Sequence, residues 1–163
     1  MLYNHYKNKV YNIALNYLHN VEDAEEITQD VFLTIFNKAT TFKQKSKVST
    51  WVYRITMNKS LNQLEKRKRR PTSNDDIKDF YAVNFSHPGV RLEDKEKAKH
   101  LFAAIEKLQL NQKTALILSY IEDLPREEVA NIMGKSLKSI EGLLQRAKSN
   151  LKKELVKMYP KEN

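Results

Sequence analysis

A chain of 163 residues with 40% hydrophobic content is long enough for one ordinary domain or two very small ones with cores of their own, so disorder throughout is excluded. Its formal net charge of +9 and pI of about 9.6 point to a polyanionic partner, either nucleic acid or an anionic membrane surface. There is no cysteine, which excludes disulfides, thiolate metal sites and cysteine nucleophiles and fits a reducing compartment.

No apolar run approaches the roughly 20 residues of a membrane span, and the polar start Met1-Leu2-Tyr3-Asn4-His5 is not a signal peptide. The expected location is the cytoplasm. The histidines at 5, 19, 87 and 100 are scattered and the acids form a solvated-looking face. No catalytic residue, metal, cofactor or small-molecule substrate is therefore expected.

Glycine and proline are absent from residues 1–70, while Pro71, Pro88, Gly89, Pro125, Gly134, Gly142 and Pro160 punctuate the remainder. The first 70 residues read as nearly uninterrupted helix. From Pro71 to about Lys97 the chain is polar and without sustained period (Thr72-Ser73-Asn74-Asp75-Asp76, then Ser86-His87-Pro88-Gly89), as suits a linker. No β-branched run alternates with period two. The predicted fold is all-α: two small helical domains, 1–70 and 99–157, joined by a flexible linker over 71–98, the second containing a helix-turn-helix.

Within the first half, Asn20 is placed to cap a helix from Val21 to about Lys38, with Glu22 and Asp23 in its first turn, where the helix dipole favours anions. Ala24, Ile27, Val31 and Ile35 form its apolar stripe. At about 100° per residue, Glu22, Glu26, Gln29, Asp30 and Leu33 fall on the opposite face. An acidic face in a basic protein would repel DNA, which suggests a second, protein partner.

After the polar loop Lys43-Gln44-Lys45-Ser46-Lys47, a helix is predicted from about Ser49 to Arg70, with Trp51, Val52, Ile55 and Leu61 as its buried side. It ends in Lys66-Arg67-Lys68-Arg69-Arg70. Five consecutive cations repel one another, so not all are structural, and phosphate binding is the preferred role. Arg54, Asn58, Lys59 and Asn62 extend a hydrogen-bonding surface back along the same helix, suited to bases as well as backbone. Phe42 and Trp51 are of the type that stacks on unpaired bases, although for Trp51 a core position is expected.

In the second half, Leu101, Ala104, Ile105 and Leu108 mark one amphipathic helix, and Ala115, Leu116, Leu118 and Tyr120 a second. Leu124 to Met133 reads as a third, closed by Gly134, and Ser136 caps a fourth. Ala130 permits close approach of two helices, Gly134 supplies a left-handed turn, and Ile140 with Leu143 or Leu144 packs back. This is the pattern of a helix-turn-helix, shared with generic helical hairpins. In the last helix Leu137, Ile140, Leu144, Ala147, Leu151 and Leu155 make the stripe, leaving Lys138, Ser139, Glu141, Gly142, Gln145, Arg146 and Ser149 outward. Those at its start are suited to the major groove, and Lys148, Lys152 and Lys153 to phosphates.

Asp23-Ala24-Glu25-Glu26-Ile27-Thr28-Gln29-Asp30-Val31-Phe32 resembles the second-region core of bacterial RNA polymerase sigma factors. Trp51-Val52-Tyr53-Arg54-Ile55-Thr56-Met57-Asn58 resembles their promoter-melting segment. Leu124 to Ala130 through Gln145-Arg146-Ala147-Lys148 is similar to their fourth-region helix-turn-helix. Both motifs in this order, joined by a short linker, are characteristic of the extracytoplasmic-function group.

The resemblance implies a factor that catalyses nothing and gives core RNA polymerase its promoter specificity. Glu26, Gln29, Asp30 and Leu33 would grip the coiled coil of the largest polymerase subunit. Phe42, Lys43, Ser46 and Asn58 would capture an unstacked base of the −10 element, with Arg54, Lys59, Asn62, Arg67 and Arg69 on the flanking nucleotides. Lys138, Ser139, Glu141, Gly142, Leu143, Gln145, Arg146 and Lys148 would meet the −35 duplex, while the earlier helices of the second domain dock on the flap of the other large subunit. An anti-sigma protein is a common further partner in the family.

Four positions depart from the family pattern: Glu141 stands where a basic residue is frequent, Gly142 for serine, Leu143 for arginine and Pro125 for the usual capping serine. Glu141 is of the type that accepts from a cytosine amino group, or it contacts Gln145 or Lys138 within its own helix. Glycine inside a helix costs roughly 1 kcal/mol, so close approach of DNA to the Gly142 backbone is expected. Two rival readings are a free-standing helix-turn-helix regulator, which would not need the acidic face, and a helical nuclease, which would need clustered carboxylates or histidines.

Overall fold

The computed structural model describes residues 1–69 and 92–159. They form helices and short connections, with no strand among the described residues. The chain divides into two compact units, 1–80 and 81–163. Unit 1 holds α1 (Leu2–Leu18), α2 (Val21–Lys38), a single tight turn of helix (Ala39–Thr41) and α3 (Val48–Arg69). Unit 2 holds α4 (Leu92–Glu106), α5 (Leu110–Leu116) running on into a wide π turn (Ile117–Ile121), α6 (Arg126–Met133) and α7 (Leu137–Met158).

The start of α4 corrects the expected linker. Residues 92–98 are helical, because Lys95-Glu96-Lys97-Ala98-Lys99 is a run of strong helix formers that an apolar period alone does not reveal. The rest of the expected linker, 71–91, lies outside the described residues, as do Arg70, His87 and Pro160.

In unit 1 each of the three helices packs against the other two. Val10, Ile13, Ala14, Tyr17 and Leu18 of α1 meet the stripe Ala24, Ile27, Val31 and Ile35 of α2, all of them buried. The corner between these helices is short and closed by hydrogen bonds. His19 takes the left-handed conformation (φ 50°) and its N–H donates to the Leu15 carbonyl at 2.9 Å. One residue on, the Asn20 side-chain oxygen accepts from the Asp23 N–H at 2.8 Å, as its capping role requires. Arg67 of α3 reaches this corner: one terminal nitrogen donates to the Leu18 carbonyl at 2.8 Å and the other lies 2.7 Å from the Asp23 carboxylate.

The buried row of α3 is Val52, Tyr53, Thr56, Met57 and Ser60. Of the expected set, Val52 is buried, whereas Trp51, Ile55 and Leu61 are half-buried at the margins. Thr56 sits at the centre because the helix satisfies it: its hydroxyl donates to the Val52 carbonyl at 2.9 Å.

Unit 2 is arranged around α7, against which α4, α5 and α6 all pack. Ala104, Ile105, Leu108, Leu116, Ala147 and Leu151 form its core cluster, with Phe102, Leu155 and Met158 against it. Leu101, expected inside, is exposed; the apolar residue that faces the cluster from this turn is Phe102. Two polar contacts seal the α5 side. The buried Lys113 ammonium lies 2.7 Å from the Glu106 carboxylate, and Asn150 of α7 donates to Gln112 at 3.0 Å. The π turn closes with the Glu122 N–H on the Ile117 carbonyl at 2.9 Å, and this widened turn leaves Tyr120 exposed rather than in the core. No helix among the described residues is long and apolar enough to cross a membrane.

Arg67 and Arg69 differ sharply in what they touch, and stability measurements on single variants separate them. Arg67→Ala is expected to lower the stability of unit 1 by about 1.5–3 kcal/mol, the range for hydrogen bonds that involve charge. Arg69→Ala, at an exposed position, is expected to stay within about 0.5 kcal/mol. Urea unfolding followed by circular dichroism reads both.

Candidate nucleic-acid interface

Three surfaces collect the residues singled out by sequence. The first is the outer side of α2, where Glu26, Gln29, Asp30 and Leu33 are exposed because the Ala24 to Ile35 stripe turns the opposite side inward. Leu33 is 60% exposed, and Phe36, which the sequence reading passed over, is 80% exposed. Its signal was present: Phe36 lies seven residues beyond Gln29, two helical turns along the same face. Acids and unburied apolar groups thus share one surface, a combination that solvation alone does not call for. Asp30 also lies 3.9 Å from Lys59 of α3, so the acidic face borders the second surface directly.

The second surface runs along α3. Arg54, Asn58, Asn62 and Arg69 are exposed and recur at helical spacing on one side; Lys59 is half-buried beside Asp30. At the N-terminal end of this side the Phe42 and Trp51 rings stack with centroids 4.7 Å apart and planes inclined by 29°. Both are half-buried, so Trp51 is a surface stack and not the core residue expected. The loop that follows Phe42 carries exposed Lys43 and half-buried Ser46, and turns at Gln44 with φ 52°. Arg67 departs from the predicted set. Its guanidinium is bound to Leu18 and Asp23 inside unit 1, so it holds the helix bundle together where a phosphate contact was expected.

The third surface belongs to unit 2. α6 ends at Gly134 in the left-handed conformation (φ 64°, ψ 37°), and α7 begins at Ser136, whose hydroxyl accepts from the Ser139 N–H at 3.1 Å. Val129, Ala130 and Ile132 of α6 are buried, as are Ile140, Leu143 and Leu144 of α7. The pair is a helix-turn-helix in geometry as well as pattern. Lys138, Glu141, Gln145, Arg146 and Lys148 are exposed, and Ser139 and Gly142 half-exposed. Leu143 is a correction: at 8% exposure it packs inward and has no surface to offer a base edge.

Several outward side chains are already engaged with one another. Glu141 pairs with Arg126 of α6 at 3.8 Å, not with Gln145 or Lys138 of its own helix. The Lys148 ammonium lies 4.9 Å from the centre of the Tyr120 ring. Its hydrogen bond to the Tyr120 hydroxyl holds that phenol below its ordinary range. The space over the Gly142 backbone, where close approach of DNA was expected, is occupied by the Arg146 guanidinium.

Residues 2–70 match the family Sigma-70 region 2, and residues 100–151 match Sigma-70, region 4. The chain belongs to the sigma-70 family. RNA polymerase sigma factor YlaC of Bacillus subtilis is 28% identical over 162 residues, covering 99% of this chain and 94% of its own. The ECF RNA polymerase sigma factor SigW of the same organism is 27% identical over 158 residues, covering 92% and 84%. Among solved structures, the sigma factor RpoE of Bartonella quintana, in complex with the anti-sigma factor NepR, superposes with a TM-score of 0.68 at 20% identity, covering 94% of this chain and 93% of that one. CnrH, in complex with the cytosolic domain of CnrY, gives the same TM-score at 19% identity. These structures share the fold. This sigma factor is of the extracytoplasmic-function type and serves promoter-specific transcription initiation by RNA polymerase. Its relatives are initiation factors.

The inward and outward residues of α7 are expected to respond differently to truncation. Leu143→Ala should cost about 2–5 kcal/mol, the range for a buried leucine, and Gln145→Ala under about 0.5 kcal/mol, in thermal or urea unfolding.

Proposed function

We propose that the sigma factor divides its work between its units as follows. The α2 face of Glu26, Gln29, Asp30 and Leu33 binds the largest subunit of core RNA polymerase. The side of α3 with Phe42, Lys43, Ser46, Arg54, Asn58, Lys59, Asn62 and Arg69 takes the −10 element as it melts. Residues 99–157 read the −35 element as duplex, through Lys138, Ser139, Glu141, Gln145, Arg146 and Lys148, and meet the other large subunit. The observation that supports this most directly is the exposed acidic and apolar face on α2, in a chain of net charge +9. Such a face repels DNA and suits a protein partner.

The −10 assignment has an energetic rationale. Extracting a base from its stack costs a few kcal/mol, and stacking on aromatic rings with hydrogen bonds to the base edge returns a comparable amount. The Phe42–Trp51 stack offers an aromatic platform at the end of a polar row containing Asn58, so base capture and strand separation are one event. Exposed cations on α3 and α7 add a salt-dependent, sequence-independent contribution. In this reading the protein has no catalytic residue, cofactor or small-molecule substrate and acts in the cytoplasm. The relatives solved with anti-sigma partners extend the same expectation to this chain.

Run-off transcription from a fragmented genomic library, with bacterial core polymerase with and without this protein, tests the whole reading. Discrete start sites that require the protein and share upstream elements are expected; duplex binding unaided and no starts would favour a free-standing regulator. Glu26→Lys combined with Asp30→Lys should abolish capture of core polymerase in a pull-down while leaving the helical circular dichroism signal intact. Retained capture would remove the α2 face from the interface.

A further inference from the structure

The outward side of α7 contains a glycine in mid-helix, where this residue is the poorest choice after proline. A methyl group built on Gly142 would lie 3.3 Å from one terminal nitrogen of Arg146, 3.8 Å from the other and 3.9 Å from the carbon between them. Its three nearest neighbours are thus all atoms of one guanidinium, which rests over the bare backbone of residue 142. Helical side chains lean toward the N-terminus, so a long residue covers the turn before its own. With no side chain at 142, the Arg146 guanidinium lies over that turn, on the side toward the start of the helix. Glu141 leaves this space clear, because its carboxylate is turned toward Arg126 of α6.

We propose that Gly142 is a positioning residue: its missing side chain seats the Arg146 guanidinium over the preceding turn, toward the groove-entering end of α7, where it reads a guanine of the −35 element through O6 and N7. The rigid paired donors of arginine match those two acceptors, whereas a lysine ammonium reaches the same pair only as a flexible point charge. The inference rests on the helix-turn-helix being the −35 reader. It replaces close approach of DNA to the Gly142 backbone with a side chain of the protein itself as the reason for glycine at this position.

The test uses the full chain with bacterial core polymerase, on a promoter found by the genomic run-off experiment and randomised across its −35 element. Base preference at every position is read for the wild type, Gly142→Ala, Gly142→Leu, Arg146→Ala and Arg146→Lys, alongside thermal unfolding. Arg146→Ala should flatten a guanine preference at one base pair by about tenfold, the scale of one lost bidentate contact, and Arg146→Lys should weaken it less. Gly142→Ala should weaken the preference at that same pair several-fold, Gly142→Leu should remove it, and the other positions should keep their profile. Gly142→Ala should unfold at the same or a higher temperature, because alanine favours the helix, so a lost preference cannot be ascribed to unfolding. An unchanged preference in Gly142→Ala, or a loss spread evenly over all positions, overturns the proposal while leaving the −35 reading in place. If Arg146→Ala changes no single position, the proposal falls too. No base preference across the −35 element in the wild type would instead remove the reading on which it rests.

Discussion

Unit 1 depends on how its first two helices are joined. α1 and α2 meet through His19 and Asn20 alone, so the backbone groups left open at the end of one helix and the start of the next lie side by side. His19 returns its N–H to α1, Asn20 caps α2, and Arg67 comes from the far end of α3 to hold the Leu18 carbonyl and the Asp23 carboxylate together. This arrangement fixes the rotation of α2 about its axis. The direction in which Glu26, Gln29, Asp30 and Leu33 point follows from it, and so does the border with α3, where Lys59 approaches Asp30.

The two faces of unit 1 carry opposite signs at short range, which the net charge of the chain conceals. A uniformly basic three-helix unit would bind nucleic acid on every side, with little control over orientation. The acidic side of α2 makes one direction unfavourable for DNA. In unit 2 the same economy is local: Arg126 lies against Glu141, reducing the repulsion that a carboxylate on the helix proposed to enter the groove would otherwise exert on phosphates.

The helices were legible in the sequence wherever apolar periodicity or a cap carried the signal: Asn20, Gly134 and Ser136 mark ends that the structure reproduces. The reading failed where burial is not apolar. Thr56 takes the inner side of α3 because its hydroxyl bonds to the preceding turn, Trp51 lies at the margin, and the wide turn after α5 rotates Tyr120 outward. Charge was the other blind spot. Arg67 sits in a run of like residues, and nothing local distinguishes the one whose partners lie 49 and 44 positions away in sequence, at Leu18 and Asp23. Leu143 shows the converse, since resemblance placed it at the DNA while its own apolar character places it inside.

The Phe42–Trp51 stack has a spectroscopic consequence. Trp51 is the only tryptophan in the chain, and the tyrosines described in unit 2 are Tyr120 and Tyr159. Indole emission therefore originates in unit 1 alone, at the ring assigned to the melted strand. The free protein thus carries a fluorophore whose emission reports on the surface proposed to meet the melted strand and not on unit 2.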